Sequence, residues 1–451
     1  MSKKAIENIK SVILVVLFLT TILLLYLIWG DKQTGVVKMS DLIPVFGEEA
    51  VEIDPKDIIC PSKIYYTAGD GAFWPVVKRE AVFKESNDVI KELSGSTEIM
   101  ATEITKNQYD EAVKNYESVQ LLFGYSVPFT EYCNLFEISR SSTFANIANF
   151  DAMAFSAAAK DSVLIADEAG GKYYRLLSGK EQSLEKLMQS SLGKISYFEA
   201  ASILGLGGGK LFPLNGDLNL TQAAFENDYN GTEEKRQEIA RQIFGENFSF
   251  VRRIADSFEN YTFMYGYGQR SLTLNADGNI EYKNEAGDGE SKGFFGDLKT
   301  AAEFAERVGG FIETNGAGFV LKNAQTSGSG KTAIYTYYFD QQSDDEFGIC
   351  RDSGYAMIIT VEKGSVSYYK RNSLAPQNSS SAVFYSPVYA AANAMAAGAD
   401  STESFESLAE NFTSMQPALY AKDGILIPVW QLHLNDGSNL CFDLYTGEKL
   451  N

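Results

Sequence analysis

The longest apolar stretch of the chain comes first. From Ser11 to Trp29 nineteen residues pass without a charge, and as a helix they would span about 28 Å, enough to cross the hydrocarbon core of a bilayer. Lys3, Lys4 and Lys10 precede the run, and Asp31 and Lys32 close it. Basic residues on the N-terminal side put that end in the cytoplasm and everything after Trp29 outside. The run ends in Tyr26-Leu27-Ile28-Trp29, bulky residues where a cleavage site needs small ones, so the pattern predicts a retained anchor and not a signal peptide. The expected N-terminal organisation is a cytoplasmic stub (1–11), a transmembrane helix (12–29) and a polar, acidic stalk (30–57), with a single pass through the plasma membrane.

Beyond the stalk the pattern switches repeatedly between period two and period 3.6. Ile64–Tyr66 and Phe73–Val77 flank Ala68-Gly69-Asp70-Gly71 and read as a hairpin. Helices are expected at Ser86–Leu93, at Asn107–Tyr116 with Thr105 as cap, and at Glu181–Leu192. Strands are expected at Val119–Phe123, Asp161–Ala166 and Lys172–Leu177. A helix from about Thr232 to Phe244 precedes a second hairpin, Arg270–Leu274 and Ile280–Lys283, joined by Asn275–Asn279. The Gly- and Glu-rich stretch 284–292 reads as a linker. After it, Asp297 is placed as the cap of a helix with Leu298, Ala301, Ala305 and Val308 on its apolar face. Strands follow at Gly318–Lys322, Thr332–Phe339, Tyr355–Val361 and Ser365–Tyr369, then helices at Pro387–Ala397 and Glu403–Phe412, then strands at Ile425–Leu434 and Asn439–Leu444. Hairpins without regular βαβ alternation predict an α+β class: one N-terminal transmembrane helix, then a three-domain extracytoplasmic region of mixed, mainly antiparallel sheets with packed helices. The expected divisions are an N-terminal ectodomain (58–193), a central domain (194–290) and a C-terminal domain (291–451).

Charge narrows the partners. The chain holds 39 basic and 59 acidic residues, net −20. Three lysines and one glutamate lie in the first ten residues, leaving 36 basic and 58 acidic, net −22, outside. That balance argues against nucleic acid and anionic headgroups as partners. Cys60, Cys133, Cys350 and Cys441 have no metal-binding spacing, and four buried thiols are expected in a chain long enough to need no staples.

Motifs with a chemical look fail on inspection. Gly328-Ser329-Gly330-Lys331-Thr332 resembles the end of a P-loop, but Gln325 stands where its first glycine belongs, and a strand follows where a helix is needed. Gly205–Lys210 puts Lys210 at the third glycine of a dinucleotide fingerprint. Asn275, Asp277 and Asn279 alternate like an EF-hand loop but lack its Gly and Glu. Acidic groups at Glu48-Glu49 with Glu52 and Asp54, and at Asp344–Glu346, read as solvated loops. His433, the sole histidine, excludes His-rich metal sites. Ser183/Lys186, Ser191/Lys194 and Ser367/Lys370 are isolated Ser-x-x-Lys pairs. The residues call for no enzyme and no cofactor.

Several stretches in order resemble one family. The anchor from Ile9 through Trp29 is similar to the start of the YycH family. Ile104-Thr105-Lys106, Val119–Phe123 and Val127-Pro128-Phe129 resemble its first domain. Val251–Ile254, Arg270–Leu274 and Gly278–Tyr282 resemble its central hairpin. Gly354–Lys370, Ile427–Trp430 and Asp443–Glu448 resemble a C-terminal domain shared with YycI, and the last pattern also resembles PepSY-like domains. The resemblance implies a non-catalytic, membrane-anchored regulator of the YycG (WalK) histidine kinase in Gram-positive bacteria, acting with a YycI-like companion on cell-wall metabolism. It implies contact within the membrane, where Ser11, Thr20, Thr21 and Tyr26 are the candidate helix–helix residues. A ligand-binding sensor for a wall fragment or peptide is the competing expectation.

Overall fold

The computed structural model describes residues 52–450 except 95–99, 140–141, 178–183, 188–191, 201–209, 228–231, 259, 277, 286, 309, 311–316, 344–346, 352–353, 373, 388–410 and 435–437. The expected anchor, with Ser11, Thr20, Thr21 and Tyr26, lies outside the described residues. So do the loop 205–209, most of the helix placed at 181–192, and nearly all of those placed at 387–397 and 403–412. Among the described residues no helix is long and apolar enough to cross a membrane.

A short helix α1 (Pro55–Ile58) leads into β1 (Lys63–Thr67) and β2 (Ala72–Pro75), the expected hairpin. Helix α2 (Arg79–Ser94) starts well before the Ser86 expected. After β3 (Met100–Ile104) comes α3 (Lys106–Lys114), closed by a reciprocal cap. The Gln108 amide N–H donates to Thr105 Oγ1 (3.3 Å), and the Thr105 N–H donates to Gln108 Oε1 (2.9 Å). Then follow β4 (Ser118–Pro128), α4 (Phe129–Leu135), β5 (Asn149–Ser156), β6 (Ser162–Asp167), β7 (Lys172–Leu177), α5 (Leu184–Leu187), β8 (Ser196–Glu199) and β9 (Leu211–Asn215). These nine strands make one sheet in the order β3-β7-β6-β5-β4-β1-β2-β8-β9.

The rest of the chain builds a second sheet. Its elements are β10 (Asp217–Asn227), α6 (Glu233–Phe244, capped by Thr232), β11 (Arg252–Ala255), β12 (Tyr261–Tyr265), β13 (Arg270–Leu274) and β14 (Ile280–Asn284). Helix α7 (Phe294–Arg307) precedes β15 (Ala317–Ser327), β16 (Ile334–Ser343), β17 (Gly348–Cys350), β18 (Met357–Glu362), β19 (Ser365–Arg371) and β20 (Leu374–Pro387). The chain closes with β21 (Phe412–Lys422), β22 (Ile425–Leu434) and β23 (Asn439–Asp443). The main path runs β11-β12-β13-β14-β19-β18-β16-β17-β21-β22-β10-β20, with β15 on β16 and β23 on β22. Every described pairing in both sheets is antiparallel except β17 with β21. The mixed, mainly antiparallel α+β class is as expected.

Three expectations need correction. Residues 194–290 have no sheet of their own: β8 and β9 extend the first sheet, and β10 to β14 belong to the second, where β14 pairs directly with β19 across the glycine-rich stretch. Phe412 does not end a helix but opens β21. Asp297 does not cap α7, which starts three residues earlier after Gly293. Its fully buried carboxylate instead reaches back, accepting from Ser291 Oγ (2.6 Å) and the Lys292 N–H (3.1 Å), so it braces the approach to the helix from inside the first turn.

The largest core spans both sheets. Phe123 sits at the centre of one part, with edge-on rings of Phe83, Tyr125, Tyr132 and Phe150 around it. A second core joins Tyr65, Phe73 and Tyr197 of the first sheet to Met415, Trp430, Leu432 and Phe442 of the second. The four cysteines are buried and no disulfide joins them. Cys350 donates to the Leu419 carbonyl (3.4 Å), and its hydrogen bond with Cys441, followed by burial, holds its thiol well above the ordinary range. A thiol held protonated and shielded is a poor nucleophile. Ellman's reagent is therefore expected to label none of the four in the native protein and all of them after unfolding.

Candidate functional site

The residues that could carry function gather where the two sheets meet, and they come from distant parts of the chain. On the first sheet, Ser62 enters β1 and donates its hydroxyl to the Leu122 carbonyl of β4 (3.0 Å), beside the register pair Lys63–Leu122. Arg79, the first residue of α2, is buried. Its Nη1 donates to the carbonyls of Pro61 (3.0 Å) and Ser62 (2.6 Å), which ties the start of the helix to the entry of the strand. Gly124 of β4 has φ +77°, and a Cβ there would lie 3.1 Å from Ser62 Oγ and 3.4 Å from the Lys322 carbonyl. The absent side chain lets β15 of the second sheet approach β4. Lys322 is thereby brought beside the Lys63 and Arg79 cluster, while Asp340 stands on the neighbouring β16 and His433 on β22.

The electrostatics of this junction are unusual. Lys63 and Lys322 are only partly accessible, and neither ammonium has a hydrogen-bond or ion-pair partner among the described residues. Burial, then the neighbouring Arg79 charge, lowers Lys63 to about 8. Burial, then Arg79 with a contribution from Lys63, lowers Lys322 to about 7 against the opposing pull of Asp340 and Cys60. Burial also raises the Asp340 carboxyl, which is shared between Arg351 and Lys322. His433, mid-way between strand partners and hydrogen-bonded to Asn439, is lowered to about 4 by burial and then by the two lysines, so it is neutral at pH 7. The site is a cationic cluster in a strongly acidic protein. It can hold negative charge.

A second junction lies at the start of α7. Glu131 of α4 accepts from the Phe295 N–H (3.3 Å), the helix end where partial positive charge collects. Gly293, at φ +83°, makes room, since a Cβ there would lie 2.9 Å from Glu131 Oε2. Burial raises the Glu131 carboxyl against those backbone N–H groups. Next to it, the Phe294 ring stacks on Tyr125 (6.4 Å) and meets Tyr335 and Tyr337 edge-on (5.8 and 5.6 Å). Tyr337 donates to the Phe294 carbonyl (2.6 Å). The two sheets are thus joined by ring contacts and a carboxylate as well as by backbone.

The motifs singled out in the sequence serve the frame. Gly328–Thr332 is the turn between β15 and β16, with Lys331 paired to Glu290 at the surface. Asn275 and Asn279 close the β13–β14 hairpin, and Asn279 Oδ1 accepts from Asn372 (2.7 Å). Asp54 caps α1 and Glu52 pairs with Lys299. Ser367 donates to the Thr360 carbonyl (3.4 Å), and Ser183 and Ser191 lie outside the described residues. Reading the sequence singled out none of Lys63, Arg79 and Lys322 as functional, because no local spacing links them.

With this geometry in view, comparisons with known proteins can be read. Residues 7–191 match the family described as "YycH protein, N-terminal domain". The crystal structure of YycH from Bacillus subtilis is similar over 87% of this chain and 97% of its own, with a TM-score of 0.56 and 12% identity, a likeness of fold. A crystal structure of an uncharacterized protein from Eubacterium rectale is similar over 52% of this chain and 86% of that one, with a TM-score of 0.34 and 11% identity. No curated protein sequence matches the chain. Residues 7–191 thus match the YycH N-terminal domain, and the fold of Bacillus subtilis YycH is shared over most of the length of this chain.

Proposed function

We propose that the protein is a non-catalytic, membrane-anchored regulator of a YycG/WalK-type histidine kinase that controls cell-wall metabolism, working with a YycI-like companion from the outer face of the membrane. One observation carries the reading. The family's N-terminal domain begins at residue 7, before the anchor, and continues to 191, so the anchor run and most of the first sheet form one family unit. Regulation then needs the helix as a contact surface, with Ser11, Thr20, Thr21 and Tyr26 the residues best suited to a partner helix. Coupling of about 1–3 kcal/mol is enough to bias a kinase, and a few helix and ectodomain contacts supply that.

The test is crosslinking and capture of the full-length protein from native membranes, beside a version whose segment 12–29 is scrambled. Capture of a histidine kinase by the native helix alone supports contact in the membrane. Capture by both moves the contact to the ectodomain. Capture by neither removes the regulator reading. A second reading, an extracytoplasmic sensor for a wall fragment or peptide, is favoured by the cluster of Lys63, Arg79 and Lys322 where the sheets meet.

A further inference from the structure

We propose that β11, the open edge of the second sheet, pairs antiparallel with β11 of a second copy of this chain, about a two-fold axis through Ile254. The inference rests on the edge itself and stands whether or not the protein regulates a kinase.

β11 ends the main path of the second sheet and, among the described residues, pairs only with β12. All four of its residues are exposed. An uncovered edge is a template for another strand, and proteins that must stay apart blunt such edges. This one is bordered by apolar side chains instead. Seven large hydrophobic residues are exposed among the described ones, and four of them fall at this edge or in the turns beside it: Phe250 and Phe258 at 77%, Ile254 at 42% and Tyr267 completely. Exposure concentrated in this way marks a contact surface.

The sequence of the edge is complementary to itself. Alternate positions read Phe250, Arg252, Ile254, Asp256, Phe258, with opposite charges between an apolar centre and apolar ends. Turned end for end about Ile254, the series sets Arg252 opposite Asp256 of the copy, Ile254 opposite itself and Phe250 toward Phe258. A two-fold contact demands such a match, since the patch must fit its own image. Arg252 and Asp256 are exposed, and neither is in an ion pair among the described residues. On the other face Arg253 is already held, by Glu233 (3.0 Å) and over the ring of Tyr261 (4.6 Å), and it meets only Ala255 of the copy.

The backbone agrees with this register. The Asp256 N–H donates to the Asn260 carbonyl (3.0 Å), so the alternation of an antiparallel ladder turns Asp256, Ile254 and Arg252 toward β12. Arg253 and Ala255 therefore present their N–H and C=O groups outward, and these residues are partners across the two-fold axis. Ile254, Arg252 and Asp256 take the non-hydrogen-bonded positions, where facing side chains approach most closely. Phe258 is fixed at its end by the turn, its N–H donating to Asp256 Oδ1 (2.8 Å).

The experiment is sedimentation of the detergent-solubilised full-length protein over a range of concentrations, with disulfide trapping beside it. A reversible dimer is expected, weakened about tenfold or more in Arg252→Asp and in Ile254→Asp. It is expected to be unchanged in Tyr445→Ala, which removes an exposed ring elsewhere. Arg252→Asp mixed with Asp256→Arg is expected to form a one-to-one dimer that neither variant forms alone, because only the mixed pair sets opposite charges face to face. Ile254→Cys tests the register at an exposed position and leaves the turn at Asp256 intact. Mild oxidation is expected to join two copies of it through the new thiol, while Tyr445→Cys stays unlinked. A protein that remains monomeric throughout overturns the proposal, as does a dimer that survives both Arg252→Asp and Ile254→Asp. A benzophenone maleimide on the Ile254→Cys variant in native membranes is expected to capture a second copy; capture of a different polypeptide in its place overturns the proposal as well.

Discussion

Phe294→Ala is expected to destabilise the protein by about 3–5 kcal/mol, the range for removing a fully buried aromatic ring whose surroundings cannot collapse. Collapse is blocked on every side: Tyr125 comes from β4, Tyr335 and Tyr337 stand on β16, and Phe295 is held by its own N–H to Glu131. The loss falls on the joint between the sheets and on the first turn of α7, where Asp297 is already buried. The check is the midpoint of urea unfolding, with Phe258→Ala as control, since Phe258 is 77% exposed and its removal is expected to cost almost nothing. A shift for Phe294→Ala no larger than that of the control would mean that the sheets are held together elsewhere.

Lys322→Met is expected to act in the opposite direction and to stabilise the protein by about 1–3 kcal/mol at pH 7 in chloride buffer, as the removal of a poorly compensated buried charge does. The effect carries its own pH dependence. The folded protein holds the Lys322 proton with an affinity near pH 7, against 10.5 for the ordinary side chain. Between those values the unfolded chain binds more protons, so native stability rises with pH across this window. Below pH 7 the penalty is fully present; above 10.5 both states are neutral and it is gone. The gain from Lys322→Met is therefore largest at pH 7 and below and shrinks toward zero as the pH climbs through the window. Thermal unfolding of both proteins at a series of pH values measures it. A gain that grows with pH would show that Lys322 is stabilised by its surroundings.

Local signals explain which parts of the fold were legible beforehand. The Thr105 cap, the Thr232 cap and the β13–β14 hairpin depend on neighbours in sequence, and they appear where the residues place them. β20 was missed because Pro376-Gln377-Asn378-Ser379 carries almost no strand propensity; its extension comes from pairing with β10. β21 was missed in part through Pro417, a residue that argues against a central strand. It is tolerated because the ladder on that side, to β17, begins only at Ala418. The cationic cluster was illegible for a deeper reason. Lys322 joins Lys63 and Arg79 only once Gly124 has let one sheet settle on the other, and no pattern along the chain encodes that meeting.

The pairing of β10 with β20 and β22 has a consequence for how the protein is made. β10 is synthesised as the chain reaches its midpoint, while both of its partners belong to the last fifth or so. A chain made from its N-terminus must therefore hold an unpaired strand open until its end arrives. Such long-range closure is slow, and an open strand edge is what stray polypeptide sticks to. Assembly of the second sheet is then a race between completion of the chain and misassociation, and folding helpers gain most of their leverage on this protein in that interval.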